Sequence, residues 1–231
     1  MKSIFIPWSG GLDSTYLIYK NLIEGNNVHT SSFVFLNNIG QSLIEYKAKK
    51  MLIPILEEIA AENNVNFKYN DENNFYVKLG NSSNILGQLP LISIGFRYLN
   101  YSSVDEVQFG YVQGDCLFDE NHEFEKLLIQ NFNNNELYNF GGNPINLSLP
   151  LKETNKTEII KNLPSELLEL VSWCEEPRIN DKQNYDDLIK AILFNSISDD
   201  ILKSVTVDEN CSCTSCGRMN KAKSLVYEFQ K

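Results

Sequence analysis

The feature that most constrains this chain is the alternation of two hydrophobic periods over its first seventy residues, with a glycine turn at the first junction. Residues 2–7, apolar from Ile4 to Pro7, suit a buried strand, Ser9-Gly10-Gly11 forces a turn, and residues 13–24 carry Leu17, Ile18, Leu22 and Ile23 at helical spacing. Residues 28–36 are β-branched and aromatic. Residues 42–63 then repeat Leu43, Tyr46, Ala48, Met51, Leu52, Ile55, Leu56 and Ile59 with a helical period, and residues 65–69 start a third strand. Strand-helix alternation of this kind predicts an α/β fold, a doubly wound and mostly parallel sheet of Rossmann-like type.

The later chain continues the pattern more loosely. Residues 89–100 and 123–132 suit helices, 104–112 and 145–149 suit strands, and polar Thr154-Asn155-Lys156-Thr157 offers capping material for a helix that follows. After about residue 163 the alternation stops, leaving helical stretches at 164–170, 185–205 and 218–229. The asparagine cluster at 131–135 beside Gly141-Gly142 reads as a loop. No internal repeat and no obvious linker divides the chain.

Charge narrows the partners. The 231 residues carry 20 Lys+Arg against 30 Asp+Glu, a net charge of −10, and Arg97, Arg178 and Arg218 are the only arginines. A protein that neutralises a row of phosphates carries the opposite balance, so nucleic acid is not an expected partner and a small substrate is. The longest apolar run, residues 89–96, is broken by Pro90 and Gly95, and the run at Ile4 to Ile6 is too short for a signal peptide. No membrane partner and a cytoplasmic location are expected.

The chemistry-bearing string is Ser9-Gly10-Gly11-Leu12-Asp13-Ser14-Thr15. Glycines after a buried strand remove Cβ atoms, so backbone N–H groups can converge on an anion at the positive end of the following helix. The string lacks the Gly-Lys-Ser/Thr of a Walker A loop and the spacing of a dinucleotide fingerprint. Read locally, Asp13 or Ser14 is also a candidate helix cap.

In this strand-loop-helix setting the string resembles the PP-loop ATP pyrophosphatases, which cleave ATP between its α- and β-phosphates to adenylate a carbonyl or carboxylate oxygen. Within them the chain is similar to the 7-cyano-7-deazaguanine synthases. Residues 35–41, read as a strand ending in Gly40-Gln41 with Glu45 just after, match that family's Tyr-Gly-Gln element; Gly110 to Asp115 keeps its Gly-x4-Asp spacing, and Pro150-Leu151 with Lys156 and Glu158 keeps Pro-Leu-x4-Lys-x-Glu. A cation at a helix start opposes the helix dipole unless an anion neutralises it, and a phosphate would do so at Lys156. The resemblance implies ATP on Ser9, Gly10, Gly11, Leu12, Asp13, Ser14 and Thr15. It casts Asp13, Ser14 and Lys156 as the catalytic set, with Asp13 orienting Mg2+. Gln88, Gly110, Asp115 and Phe118 are placed around the substrate.

Cysteines carry the second signal. Cys211, Cys213 and Cys216 lie within six residues and Cys174 precedes them, a set that suits tetrahedral zinc better than disulfides in a reducing compartment. The synthase family likewise carries four zinc-binding cysteines in its tail, so a structural Zn2+ is expected, with residues 1–165 as the ATP-binding core and residues 166–231 as a helical zinc-binding extension packed on the same domain. The chain also departs from the family. Its last cysteines read Cys-x-Cys-x-x-Cys, residues 185–205 add a helix, Ile85-Leu86-Gly87-Gln88 stands where the family has Pro-Gly-Arg-Asn, and Phe118 to His122 replaces a Tyr-Pro-Asp-Cys-Arg stretch.

His29 and His122, the only histidines, make no metal or protease arrangement and read as packing or surface residues, while Cys116 reads as a small buried residue or a sulfur-transfer nucleophile. The expected activity is an ATP-dependent C–N ligase that adenylates a 7-carboxy-7-deazaguanine-type acid and passes it to ammonia, with a homodimer as the expected assembly. Three readings stand beside it: a relative that stops at the amide or attaches a deazaguanine to a protein partner, a tRNA-modifying PP-loop enzyme, and a non-catalytic ATP-binding partner.

Overall fold

The computed structural model describes residues 1–36, 38–70, 75–77, 104–113, 146–172, 178–179, 184–194 and 196–206 of the 231. The elements run β1 (Ser3–Pro7), α1 (Leu12–Ile23), β2 (Asn27–Ser31), β3 (Phe33–Phe35), α2 (Ile39–Glu62), β4 (Phe67–Tyr69), β5 (Phe75–Val77), β6 (Glu106–Gln108) and β7 (Asn146–Ser148). They continue through α3 (Lys156–Asn162), α4 (Ser165–Leu168), β8 (Arg178–Ile179), α5 (Tyr185–Leu193), α6 (Asp199–Ser204) and β9 (Val205–Thr206).

Five strands form one parallel sheet in the order β4-β2-β1-β6-β7. The α/β class and the mostly parallel sheet are as expected. From β1 the chain winds outward to β2 and β4, then returns to the opposite side of β1 at β6, so the order reverses between β1 and β6. In open α/β sheets ligands bind at that reversal, outside the carboxyl ends of the strands. Ile4 pairs with Val28 on one side and Glu106 on the other, and Ile4, Phe5 and Ile6 are buried. A central strand covered on both faces needs a continuous apolar run, which Ile4-Phe5-Ile6 supplies. Leu17, Ile18 and Leu22 of α1, Leu52 and Leu56 of α2, and Ile159, Leu163 and Leu167 complete this core, each large aliphatic side chain contributing roughly 1.5–3 kcal/mol by leaving water.

Several local expectations are revised. The apolar run 28–36 is two strands: β2 stays in the main sheet, and after Ser32 the chain diverges so that β3 pairs with β5 in a separate parallel pair. Gly40-Gln41 does not end a strand. Asn38 accepts the Gln41 N–H at 3.1 Å and caps α2, while Ile39 and Leu43 bury in the first turns, so the helix starts three residues earlier than its apolar period implied. Met51, placed inward by periodicity, is 41% exposed. The single helix expected at 185–205 is two, α5 and α6, because Ser198 accepts the Ile201 N–H at 3.3 Å and starts a new helix. α5 through Leu188 and Ile192, and α6 through Ile201 with Val205 of β9, pack on Ile39 and Leu43 in the amino-terminal half of α2. Strands expected at 65–69, 104–112 and 145–149 shorten to β4, β6 and β7.

Candidate functional site

β1 delivers the chain to a tightly determined loop. Trp8 is buried, donates its Nε1–H to Thr15 Oγ1 at 3.0 Å, and meets Phe67 and Tyr69 edge-on at 5.9 and 5.7 Å between ring centroids. The anchor fixes the outgoing strand against the incoming helix. Gly10 has φ +80°, and a Cβ there would lie 2.9 Å from the Glu45 carbonyl oxygen. Only glycine fits on both counts. The Gly11 N–H donates to Ser9 Oγ at 3.2 Å, Ser9 Oγ and Ser14 Oγ share a hydrogen bond of 3.1 Å, and the Gly10 carbonyl accepts the Ser172 N–H at 2.8 Å.

α1 begins at Leu12 with Gly11 as its N-cap and no side-chain cap bond, so Asp13 and Ser14 lie in the first turn rather than capping it. The first ladder bond runs from Thr15 N–H to the Gly11 carbonyl at 3.1 Å. The backbone donors ahead of it and the helix dipole face the loop, the arrangement that receives an anion.

Two distant segments close on this point. After β6, Gly110 packs so tightly that its Cβ would lie 3.0 Å from Ser14 N and 3.1 Å from the Asp13 carbonyl carbon. Its neighbour Tyr111 stacks on buried Phe109 with centroids 6.1 Å apart, and the Gln113 N–H donates to the Thr154 carbonyl at 3.0 Å, tying this segment to the start of α3. Asn155 caps α3 by accepting the Glu158 N–H at 2.9 Å, which places Lys156 at the first helical position. Lys156 Nζ lies 3.3 Å from Asp13 Oδ2. The anion that offsets the unfavourable position of this lysine is therefore Asp13 itself, where the dipole argument had a phosphate. The two side chains are 35% and 21% exposed, so the pair is within reach of solvent and of a ligand.

The structure thus brings together Ser9, Gly10, Gly11, Leu12, Asp13, Ser14, Thr15, Gly110 and Lys156. Gln88, Asp115, Phe118, Cys116, His122 and the cysteines Cys174, Cys211, Cys213 and Cys216 lie outside the described residues. Among the described residues no group of three or more His, Cys, Asp or Glu is placed to hold a metal. Asp13 is the acidic residue in the first turn of α1. His29 lies in β2 beside Phe5, where burial first and the charge of Lys68 second hold its pKa below the usual range, as a strand-packing imidazole requires.

Sequence reasoning overlooked a polar ladder behind the loop. Asn38 Nδ2–H donates to Gln41 Oε1 at 3.2 Å and Gln41 Nε2–H to Glu45 Oε1 at 3.1 Å. One turn on, the Lys49 ammonium donates to Ser32 Oγ, which shares a 3.1 Å hydrogen bond with Tyr69 Oη. Burial pushes the Glu45 carboxyl up to about 7 against the opposing pull of Lys49, and burial pushes the Lys49 ammonium down to about 8. The signal was present: Gln41, Glu45 and Lys49 recur every four residues, and Lys49 stands next to Ala48 on the buried face of α2.

No helix among the described residues is long and apolar enough to cross a membrane. No family model and no curated protein matches the chain. Among solved structures it is similar to the U34-tRNA thiolase NcsA from Methanococcus maripaludis with its 4Fe-4S cluster, at 13% identity over 92% of this chain and 76% of that one, with a TM-score of 0.43.

Proposed function

We propose that this protein is an ATP-dependent, adenylate-forming ligase of the PP-loop type, acting on the carboxylate of a 7-carboxy-7-deazaguanine-type substrate. One observation carries the reading of the ATP site: Asp13, Gly110 and Lys156, from three separate parts of the chain, meet at the glycine loop where the strand order reverses. The acceptor is argued from the resemblance of the loops.

In this reading the triphosphate lies on the Ser9 to Thr15 loop. Substrate carboxylate oxygen attacks the α-phosphorus, the bond to the bridging oxygen breaks, and pyrophosphate leaves with the electron pair. Ammonia then displaces AMP to give an amide. Adenylation of the amide oxygen, followed by loss of AMP and a proton, gives a nitrile. Bound Mg2+ would spread the charge of the phosphates. Loop N–H groups and the end of α1 are fixed before the reaction by Gly10, the Trp8–Thr15 bond and the Ser9–Ser14 bond, so they stabilise the departing anion without reorganising. Lys156 adds a positive charge that can turn from Asp13 toward phosphate, and Asp13 is then released to orient the metal or its waters. Cys174, Cys211, Cys213 and Cys216 would hold a structural zinc, which leaves no coordination position for catalysis.

The test is product analysis with ATP and each of 7-carboxy-7-deazaguanine, its amide and its nitrile. AMP and pyrophosphate formed only with the acid or amide are expected. ADP as product refutes the loop chemistry; AMP formed only with another acid, or only with tRNA, refutes the deazaguanine acceptor and keeps the adenylating site.

A further inference from the structure

Lys49 is 4% exposed, although a methionine or leucine would fill the same space without the cost of burying an ammonium. Further along the same helix Leu52 and Leu56 bury with no charge. What sets Lys49 apart is its neighbour. The Cβ position of Gly10 lies 3.1 Å from Lys49 Cγ and 2.9 Å from the Glu45 carbonyl oxygen, so this stretch of α2 is the floor on which the loop rests. Glu45 is the opposing charge in the field of Lys49, and Ser32 Oγ anchors its ammonium at the end of β2. Lys49 is out of water and Glu45 is half-buried beside it, so the field of the ammonium reaches further than it would at the surface.

We propose that Lys49, buried under the loop, and its neighbour Glu45 set the electrostatic potential behind the Ser9 to Thr15 loop, Lys49 strengthening and Glu45 tempering its affinity for a polyphosphate. The proposal rests on the reading of that loop as a pyrophosphate cradle. Neither side chain touches the ligand; both are positioning residues that act through the loop they support. Burial holds Glu45 up to about 7 and Lys49 down to about 8, so neither charge is held firmly and an anion arriving above them strengthens the positive state of the pair.

The two halves of the pair have opposite signs of effect, which a purely structural role does not produce. Removing the carboxylate in Glu45→Gln leaves the pair more positive, or unchanged where Lys49 sheds its proton. Removing the ammonium in Lys49→Met keeps the stem under Gly10 and leaves the pair more negative, or neutral where Glu45 takes a proton. Calorimetric titration at neutral pH with MgATP, inorganic pyrophosphate and AMP should show Lys49→Met weakening MgATP on the order of tenfold and AMP less. Glu45→Gln should bind MgATP at least as tightly as wild type, and up to several-fold tighter. Weakening by both variants, or MgATP affinity unchanged in Lys49→Met, overturns the proposal and leaves the cradle standing. Wild-type protein that binds neither MgATP nor pyrophosphate overturns the cradle and the proposal together. Should Lys49→Met fail to fold, the sign for Glu45→Gln decides alone, weakening being the refuting result.

Discussion

Gly110→Ala is the sharpest perturbation of the site. The added methyl would lie 3.0 Å from Ser14 N, 3.1 Å from the Asp13 carbonyl carbon and 3.1 Å from Ser14 Cα. All three are backbone atoms of the first turn of α1, so no flexible side chain can swing aside. Either the helix start slides by a few tenths of an ångström or residues 109–113 back away. Overpacking of this kind costs about 1–3 kcal/mol, and for a chain of this length each kcal/mol lowers the melting temperature by roughly 2–4 °C. The same displacement separates loop donors from Lys156, so pyrophosphate release should fall at least about tenfold, since geometry errors well under 1 Å already cost rate. Gly25→Ala is the control: Gly25 has φ +81° with nothing within 4 Å of its Cβ position. It should cost about 1 kcal/mol through backbone strain and leave turnover unchanged. Urea denaturation, with the slope checked for constancy, reads stability, and an enzyme-coupled pyrophosphate assay reads turnover. Gly110→Ala protein as stable and active as wild type would refute the packing argument, as would equal catalytic loss in Gly25→Ala.

Three further outcomes are expected. Lys156→Met should leave melting nearly unchanged, because solvent-reachable ion pairs contribute at most about 1 kcal/mol, yet lower pyrophosphate release about 100-fold or more; full turnover would remove Lys156 from the site. Burial raises the Glu106 carboxyl, but hydrogen bonds from Ser148, Gln108 and Lys2 and the Lys2 charge outweigh it and hold the pKa below its ordinary 4.5. The native state therefore favours the ionised form, a stabilisation present above about pH 4.5 and lost as pH falls through the lower folded value; urea midpoints of Glu106→Gln should lose part of that acid dependence, and an identical acid limb would contradict it. Elemental analysis should find about one zinc per chain, and Cys213→Ser should destabilise severely, since structural zinc supplies on the order of 10 kcal/mol; stable metal-free protein with four titratable thiols would end the zinc assignment.

How much of the site could be read beforehand depends on how far apart its parts are in the chain. The loop is legible because strand, glycine turn and helix are contiguous: Gly10 and Gly11 permit the positive φ that Gly10 takes, and the apolar run Ile4 to Ile6 suits a strand covered on both faces. Polar residues 154–157 likewise announced the start of α3, and Asn155 proved to be the cap. The phase of α2 is not legible in its sequence because its apolar positions serve two clusters, Ala48, Leu52, Leu56 and Ala60 in the main core and Ile39 and Leu43 against α5 and α6. A single period cannot report two partners, so periodicity turns Met51 inward and leaves out the first turn. The break at Ser32 was also invisible, since residues on both sides have strand character and only the divergence of β3 toward β5 separates them.

What the sequence determined by itself was local: element types, the parallel α/β class and the anion-ready turn, all consequences of backbone geometry and periodicity within a few residues. What tertiary structure decided was adjacency: that β6 returns to β1, that Gly110 seats against Ser14, that Lys156 reaches Asp13, and that Lys49 is buried under Gly10. These contacts depend on how helices dock on a twisted sheet, and residues far apart in sequence are brought within a few ångströms by packing that no local pattern encodes.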